Sequence, residues 1–119
     1  MELKKKEKKY STLSSELEGV AKALPSLIRA RKVQSKAKKG GFDLESIEEA
    51  FDKVKEELNE VMEVYNTEDM GRIEEEVGDL IFACVNITRF LDVDGEQALN
   101  KTTNKFIKRI ELIESESKI

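Results

Sequence analysis

Two stretches of this sequence carry carboxylates at spacings that could hold a divalent metal ion. Residues 52–61 are DKVKEELNEV and residues 74–82 are EEEVGDLIF. Side chains three or four positions apart share one face of a helix, so Glu57 can converge with Glu60, and Glu76 with Asp79. Mg²⁺ and Mn²⁺ prefer such oxygen ligands, and Mg²⁺ often bridges them to phosphates. The same residues could equally form the solvated flank of a helix.

Composition narrows the chemistry that is open to this chain. Its 119 residues include no histidine and one cysteine, and 39% of them are charged. The lack of histidine excludes zinc–histidine sites and the usual Ser-His-Asp and Cys-His nucleophiles. Acid–base chemistry must therefore rest on carboxylates, lysines or a metal-bound water. The sequence has no apolar run of about 18 residues and does not open with a signal peptide, so we expect a cytoplasmic protein.

Positive charge is concentrated at the start of the chain. Residues 1–9 carry a net charge of +3, although the whole chain carries −4. We expect residues 1–12 to form a basic, flexible tail and residues 13–119 to form one domain. A basic tail could bind nucleic-acid or membrane phosphates. A solubilising role is the simpler interpretation, so we expect neither of these partners.

Helix start and stop signals divide the domain into four or five helices. Gly40 and Gly41 are expected to stop the second helix, and Asp43 and Asp94 to cap the helices that follow them. The predicted fold is all-α, an antiparallel helical bundle. The predicted helices are a short one from Ser14 or Ser15, followed by 25–39, 44–65, 72–91 and 95–114.

The long helices each carry a narrow apolar stripe. Between Leu44 and Tyr65, apolar residues recur at alternating spacings of three and four, which is typical of a packed seam in a helical bundle. Residues 80–85 are all apolar, so this part of the helix is apolar on almost every side. Cys84 lies among them and is expected to be a small core residue. A helix buried on every side in so short a chain indicates that a second subunit covers part of it. We therefore expect an oligomer.

The stripe also predicts the flank on which each carboxylate lies. In a seven-residue repeat labelled a to g, the apolar stripe occupies positions a and d. Glu57 and Glu76 then fall at position g, and Glu60 and Asp79 at position c. Antiparallel neighbours place g beside g, so the four carboxylates are expected on one rim, where they repel one another. Gly78 costs the helix about 1 kcal/mol relative to alanine, which indicates a close approach or free space. The polar residues that extend the rim are Lys53, Asn86, Lys105 and Arg109.

Several stretches follow one another in an order that is typical of a known family. They are residues 24–34, Gly41-Phe42-Asp43, and the motifs Glu-Glu-x-x-Glu at 56–60 and Glu-x-x-Asp at 76–79, with residues 104–106 after them. Together they resemble the MazG-type nucleoside triphosphate pyrophosphohydrolases. The similarity runs from about Glu16 to Ile113. Leu44 departs from the family pattern, which often has tryptophan at this position.

The resemblance implies an all-α, Mg²⁺-dependent enzyme that cleaves between the α- and β-phosphates and releases a nucleoside monophosphate and pyrophosphate. Mn²⁺ could replace Mg²⁺. Family members assemble as dimers or dimers of dimers. Glu56 would be an accessory carboxylate, and either Glu56 or Glu57 would orient the attacking water. The implied metal ligands are Glu57, Glu60, Glu76 and Asp79.

The resemblance also implies how a nucleotide would be bound. Three basic residues on the rim would hold phosphate oxygens, and an amide would lie near the sugar. The phosphate-binding residues would be Lys53, Lys105 and Arg109, and the amide would be Asn86.

The expected function is hydrolysis of NTPs and dNTPs, serving to clean the nucleotide pool. Two alternatives remain open at this point. A relative with narrow specificity for dUTP, dCTP or phosphoribosyl-ATP would share the same metal motif. A non-catalytic helical bundle, acting in oligomerisation or partner binding, would not need magnesium.

Overall fold

The computed structural model describes residues 12–117, and this part of the chain contains five α-helices and no strand. The predicted all-helical class is confirmed. Apart from Thr12, the expected basic tail lies outside the described residues. The helices are α1 (Leu13–Glu18), α2 (Ser26–Lys39), α3 (Ile47–Val64), α4 (Met70–Phe90) and α5 (Gly95–Ser117).

The first two helices begin and end close to the predicted positions. Thr12 caps α1, because its side chain accepts a hydrogen bond from the Ser15 amide at 3.2 Å, so the helix starts slightly earlier than expected. Helix α2 follows Pro25 and ends before Gly40, as predicted. Gly41 has a φ of 89°, a left-handed conformation that glycine adopts without strain. The chain can therefore turn sharply between α2 and α3.

The predicted cap of α3 is wrong. Ser46, rather than Asp43, accepts a hydrogen bond from the Glu49 amide at 3.2 Å, and the Glu49 carboxylate accepts one from the Glu45 amide at 2.8 Å. The first contact satisfies a free amide of the first helical turn, and the second ties the residue before the cap to that turn. Helix α3 therefore begins at Ile47 instead of residue 44. The carboxylate of Asp43 is left to make a contact elsewhere.

The last two helices are capped by aspartates. Asp69 accepts a hydrogen bond from the Arg72 amide at 3.1 Å, so α4 begins at Met70, two residues before the predicted start. Asp94 accepts one from the Gln97 amide at 3.1 Å, which confirms the predicted cap of α5. Helix α5 then continues to Ser117, beyond the predicted end at residue 114.

Helix packing centres on the pair formed by α3 and α4, with α2 against α4, α1 against α2, and α5 against α2. The residues that α3 buries are Ala50, Glu57 and Val64, which lie seven apart on one flank of the helix. The predicted apolar seam is only partly covered by this chain, since Leu58 is 45% exposed and Tyr65 is 66% exposed. A single helix pair thus packs through one flank and leaves much of its apolar stripe free.

An apolar groove of about 840 Å³ lies between α2, α4 and α5. Leu27, Leu80 and Leu99 line it from the three helices. Cys84 also lines the groove and is exposed, so the prediction that it is a core residue is wrong for the isolated chain. The middle of α4 therefore presents apolar surface that this chain does not cover. Within residues 12–117, no helix combines the length and apolar character that a membrane span requires.

We expect Gly78→Ala to raise the free energy of unfolding by up to about 1 kcal/mol, because alanine stabilises a helix interior relative to glycine. A β-carbon at Gly78 would have no neighbouring atom within 4 Å. Urea denaturation measures the change. Gly40→Ala is the control: its β-carbon would lie 2.6 Å from Leu13 Cδ2, so it should lower stability. A loss of stability in Gly78→Ala would contradict the prediction and indicate that another molecule packs there.

Candidate metal site

Three carboxylates from two helices meet at one place in the structure. Glu57 on α3 and Glu76 and Asp79 on α4 each offer an oxygen, and the three oxygens lie within 4.8 Å of one another. Packing of α3 against α4 forces this proximity, because Glu57 lies in the buried row between Ala50 and Val64 and is only 9% exposed. Glu76 and Asp79, one helical turn apart, complete the cluster from the opposite helix.

The cluster raises the pKa of Glu76 above its ordinary value. Partial burial disfavours the charged form first, and the negative charges of Glu60, Asp79 and Glu57 add to the effect in that order. Glu60 is therefore close enough to repel Glu76, although its oxygens lie outside the group of three. Four acidic groups around one point, with no histidine or thiol among them, fit a hard divalent cation such as Mg²⁺.

Lys53 supplies positive charge at one side of the cluster. Its ammonium nitrogen lies 3.1 Å from Glu57 Oε1 and 3.5 Å from Glu56 Oε2. The hydrogen bond to Glu57 is the main cause that raises the pKa of Lys53. Glu56 is largely exposed and makes its only ion pair among the described residues with this lysine. The amino group thus balances part of the negative charge of the cluster.

Asn86 lies on α4, and its side chain is held by a residue that the sequence analysis missed. Arg89 Nη2 donates a hydrogen bond to Asn86 Oδ1 at 2.8 Å. The same guanidinium forms a two-point ion pair with Asp43, with Nη1 donating to Oδ2 at 3.1 Å and Nη2 donating to Oδ1. This pair holds the pKa of Asp43 below its usual value. Local spacing could have linked Arg89 to Asn86, but nothing in the sequence indicated Asp43 as its partner.

Lys105 and Arg109 are not brought to the carboxylates within one chain. Both lie on α5, where residues 97–117 are all exposed. Helix α5 packs against α2 and makes no extensive contact with α3, which carries Glu57 and Glu60. The positions of these two residues beside the apolar stripe predicted the face that they occupy on α5. They did not predict which helix that face would meet.

The structure thus gathers three of the four expected metal ligands and places the fourth nearby. Lys53 and Glu56 flank the cluster on α3, whereas Asn86 lies two helical turns after Asp79 on α4. Whether these residues bind metal or nucleotide stays a prediction.

Comparison with known proteins finds relatives of this chain. A profile of the MazG nucleotide pyrophosphohydrolase domain matches residues 45–113. A Thermotoga maritima protein named nucleoside triphosphate pyrophosphohydrolase/pyrophosphatase MazG is 40% identical over 110 residues, covering 92% of this chain and 42% of the relative. The nucleoside triphosphate pyrophosphohydrolase of Escherichia coli K12 is 38% identical over 117 residues, covering 95% of this chain and 44% of the relative. The chain spans less than half the length of these curated relatives.

We expect Asp43→Asn to lower the free energy of unfolding at neutral pH by about 2 kcal/mol, because it removes a charged hydrogen-bond partner from a buried arginine. Asp92→Asn is the matched control. Asp92 also pairs with an arginine, Arg31, at 3.0 Å, but its side chain is 96% exposed, so the loss should stay below about 1 kcal/mol. Chemical denaturation compares the two variants.

The difference between Asp43→Asn and the wild type should also depend on pH. The pKa of Asp43 is lowered in the folded protein, so its contribution is present above the ordinary carboxyl pKa and is lost as the pH falls through the folded value. The two stability curves should therefore converge in acid. Equal losses for the Asp43 and Asp92 variants at neutral pH would contradict the prediction.

Glu76→Gln should raise the melting temperature in the presence of EDTA at neutral pH. Because the pKa of Glu76 is raised on folding, the folded state binds this proton more readily, and stability falls as the pH rises through the folded value. The gain should therefore grow with pH and vanish well below the ordinary carboxyl pKa. Glu75→Gln, at an exposed position on the same helix, is the control. An equal gain in both variants would mean that general surface charge, rather than the cluster, causes the effect.

Proposed function

Since this chain belongs to the MazG nucleotide pyrophosphohydrolase family, we propose that it hydrolyses nucleoside triphosphates, NTPs or dNTPs, between the α- and β-phosphates. The products would be a nucleoside monophosphate and pyrophosphate, and the role would be to clean the nucleotide pool of the cytoplasm. The names of the Thermotoga maritima and Escherichia coli relatives support this activity. The meeting of the Glu57, Glu76 and Asp79 oxygens within 4.8 Å is the observation that carries the proposal.

The proposed cofactor is Mg²⁺, with Mn²⁺ as a substitute. Glu57, Glu60, Glu76 and Asp79 would hold the ion, and their all-oxygen chemistry and unbalanced negative charge fit it. When bound, Mg²⁺ polarises a phosphoryl oxygen and makes a coordinated water more acidic. A cation there would also relieve the repulsion from neighbouring carboxylates that, after burial, contributes to the raised pKa of Glu76.

Protein side chains would bind the substrate and orient the attacking water. Lys53, whose ammonium already lies against Glu57, would bind phosphate oxygens at that side of the cluster. Glu57 or the exposed Glu56 would orient the attacking water and accept its proton. Asn86 would contact the nucleotide near its sugar.

Lys105 and Arg109 would stabilise charge on the departing pyrophosphate. Helix α5 of the same chain does not bring them to the cluster, so we propose that a second copy does. The exposed apolar seam of α3 and the open groove between α2, α4 and α5 support this, because covering apolar surface favours association. In this arrangement two or four copies would complete an antiparallel helical bundle, as a homodimer or a dimer of dimers.

Release of pyrophosphate from a panel of canonical and modified NTPs and dNTPs, with and without Mg²⁺, tests the proposal. We expect magnesium-dependent pyrophosphate together with a monophosphate, and the ranking of substrates would identify a narrow specificity for dUTP, dCTP or phosphoribosyl-ATP if one exists. Inorganic phosphate as the product would mean that another bond is cleaved. No turnover, with no magnesium-dependent rise in melting temperature, would favour a non-catalytic bundle.

In the same assay, Glu60→Ala and Asp79→Ala should each lower kcat/KM by more than about a hundredfold, the upper end of what an outer partner of a metal ligand contributes. Glu63→Ala is the matched control, because Glu63 is an exposed glutamate one turn beyond Glu60 on α3. Circular dichroism should show that all three variants stay helical. Near-normal activity in either test variant would remove that residue from the metal site.

A further inference from the structure

Arg89 joins the loop before α3 to the face of α4 that carries the candidate site. Its side chain is only 8% exposed, and it pairs with Asp43 through both terminal nitrogens. Nη2 also donates to Asn86 Oδ1 at 2.8 Å. The two hydrogens of Nη2 are thereby used, one for each partner. The guanidinium is held in the orientation that satisfies Asp43 and Asn86 together.

This contact determines which end of the Asn86 amide faces Arg89. A guanidinium donates hydrogen bonds and accepts none, so the end that faces it must be the amide oxygen. The amide nitrogen Nδ2, with two hydrogens to donate, is then directed away from Arg89. Without the arginine, the oxygen and nitrogen could exchange places at little cost, because the two ends are nearly the same in shape.

Asn86 shares a helical face with the carboxylate cluster. It follows Asp79 by seven residues, and seven residues return an α-helix to nearly the same face about 10 Å further along its axis. A nucleotide whose phosphates lie at the cluster has oxygens along its phosphates and sugar. Each of these oxygens can accept a hydrogen bond from an amide nitrogen.

We infer that Arg89, anchored by Asp43, is a positioning residue that directs the Asn86 amide nitrogen towards the nucleotide, where it donates a hydrogen bond to a substrate oxygen. The inference rests on the proposed function, because it requires a nucleotide at the carboxylate cluster. Arg89 itself does not touch the substrate. Its effect on binding passes through Asn86.

A double-mutant cycle in the full chain distinguishes positioning from structural support. Asn86→Ala removes the donor and should raise KM about tenfold, the effect of losing one hydrogen bond, while kcat changes little because the bond is made equally before and during reaction. Arg89→Lys keeps a positive charge beside Asp43 but lacks the rigid fork that serves two partners, and should raise KM several-fold. In the Asn86→Ala background, Arg89→Lys should change KM less than about twofold.

Asp43→Asn tests the anchor of Arg89, and its melting temperature gives the reference for loss of stability. It weakens the attachment of the loop but leaves Arg89 able to donate to Asn86. We expect it to lower the melting temperature at least as much as Arg89→Lys while raising KM less. Thermal melting shows which variants are folded at the assay temperature. An equal KM increase from Arg89→Lys with and without Asn86, or an unchanged KM in Asn86→Ala, would overturn the inference.

Two substrates identify the oxygen that accepts the hydrogen bond. If it is the sugar 3′-hydroxyl, the KM penalty of Asn86→Ala disappears when a dideoxynucleoside triphosphate replaces the deoxynucleotide. If it is a phosphate oxygen, the penalty is the same for both. Absence of turnover by the wild-type chain would overturn the proposed function and this inference together. Wild-type turnover with unchanged KM in both single variants would overturn this inference alone.

Discussion

Burial of the Glu57 carboxylate between α3 and α4 is the constraint on which the rest of the site depends. Glu57 occupies the middle of a row whose other members, Ala50 and Val64, are almost completely buried. Removing a carboxylate from water is costly unless a counter-charge or hydrogen bond replaces the lost solvent. Lys53 supplies one partner, but the facing helix brings Glu76 and Asp79, which add negative charge. Packing energy thus holds like charges together, and this is the basis for the cation that we propose at this site.

Regular helix geometry explains why the carboxylate cluster could be predicted. Within a helix, the spacing of Glu76 and Asp79 determines that they share a face, whatever surrounds them. The structure agrees with this part of the prediction because it depends on local periodicity. The apolar stripe also predicted that Glu57 lies on the rim of the helix pair, and this is wrong, because Glu57 belongs to the row of residues that α3 buries.

The predictions that were wrong for Asp43 and Cys84 depend on contacts between distant parts of the chain. Asp43 precedes a helix and matches a cap, but Ser46 and Glu49 satisfy the helix start and Arg89, 46 residues away, takes the Asp43 carboxylate. Cys84 lies in an apolar run, yet its burial depends on neighbours that a single chain does not provide. Spacing describes which residues share a face of a helix. The molecule or helix that meets this face is decided by the assembly of the whole fold.

The direction of α5 depends on the turn that joins it to α4, and this turn is hydrogen-bonded to α2. Arg31 on α2 donates to the Val93 carbonyl oxygen at 2.6 Å and to Asp92 Oδ1 at 3.0 Å, and Asp92 has a φ of 53°. At 1.5 Å per residue, Arg109 lies roughly 20 Å beyond the start of α5. A tilt of about 10° at the turn would therefore displace that position by roughly 4 Å, more than the length of a hydrogen bond. The contacts of Arg31 with this turn therefore limit the tilt of α5, and with it the position of Arg109.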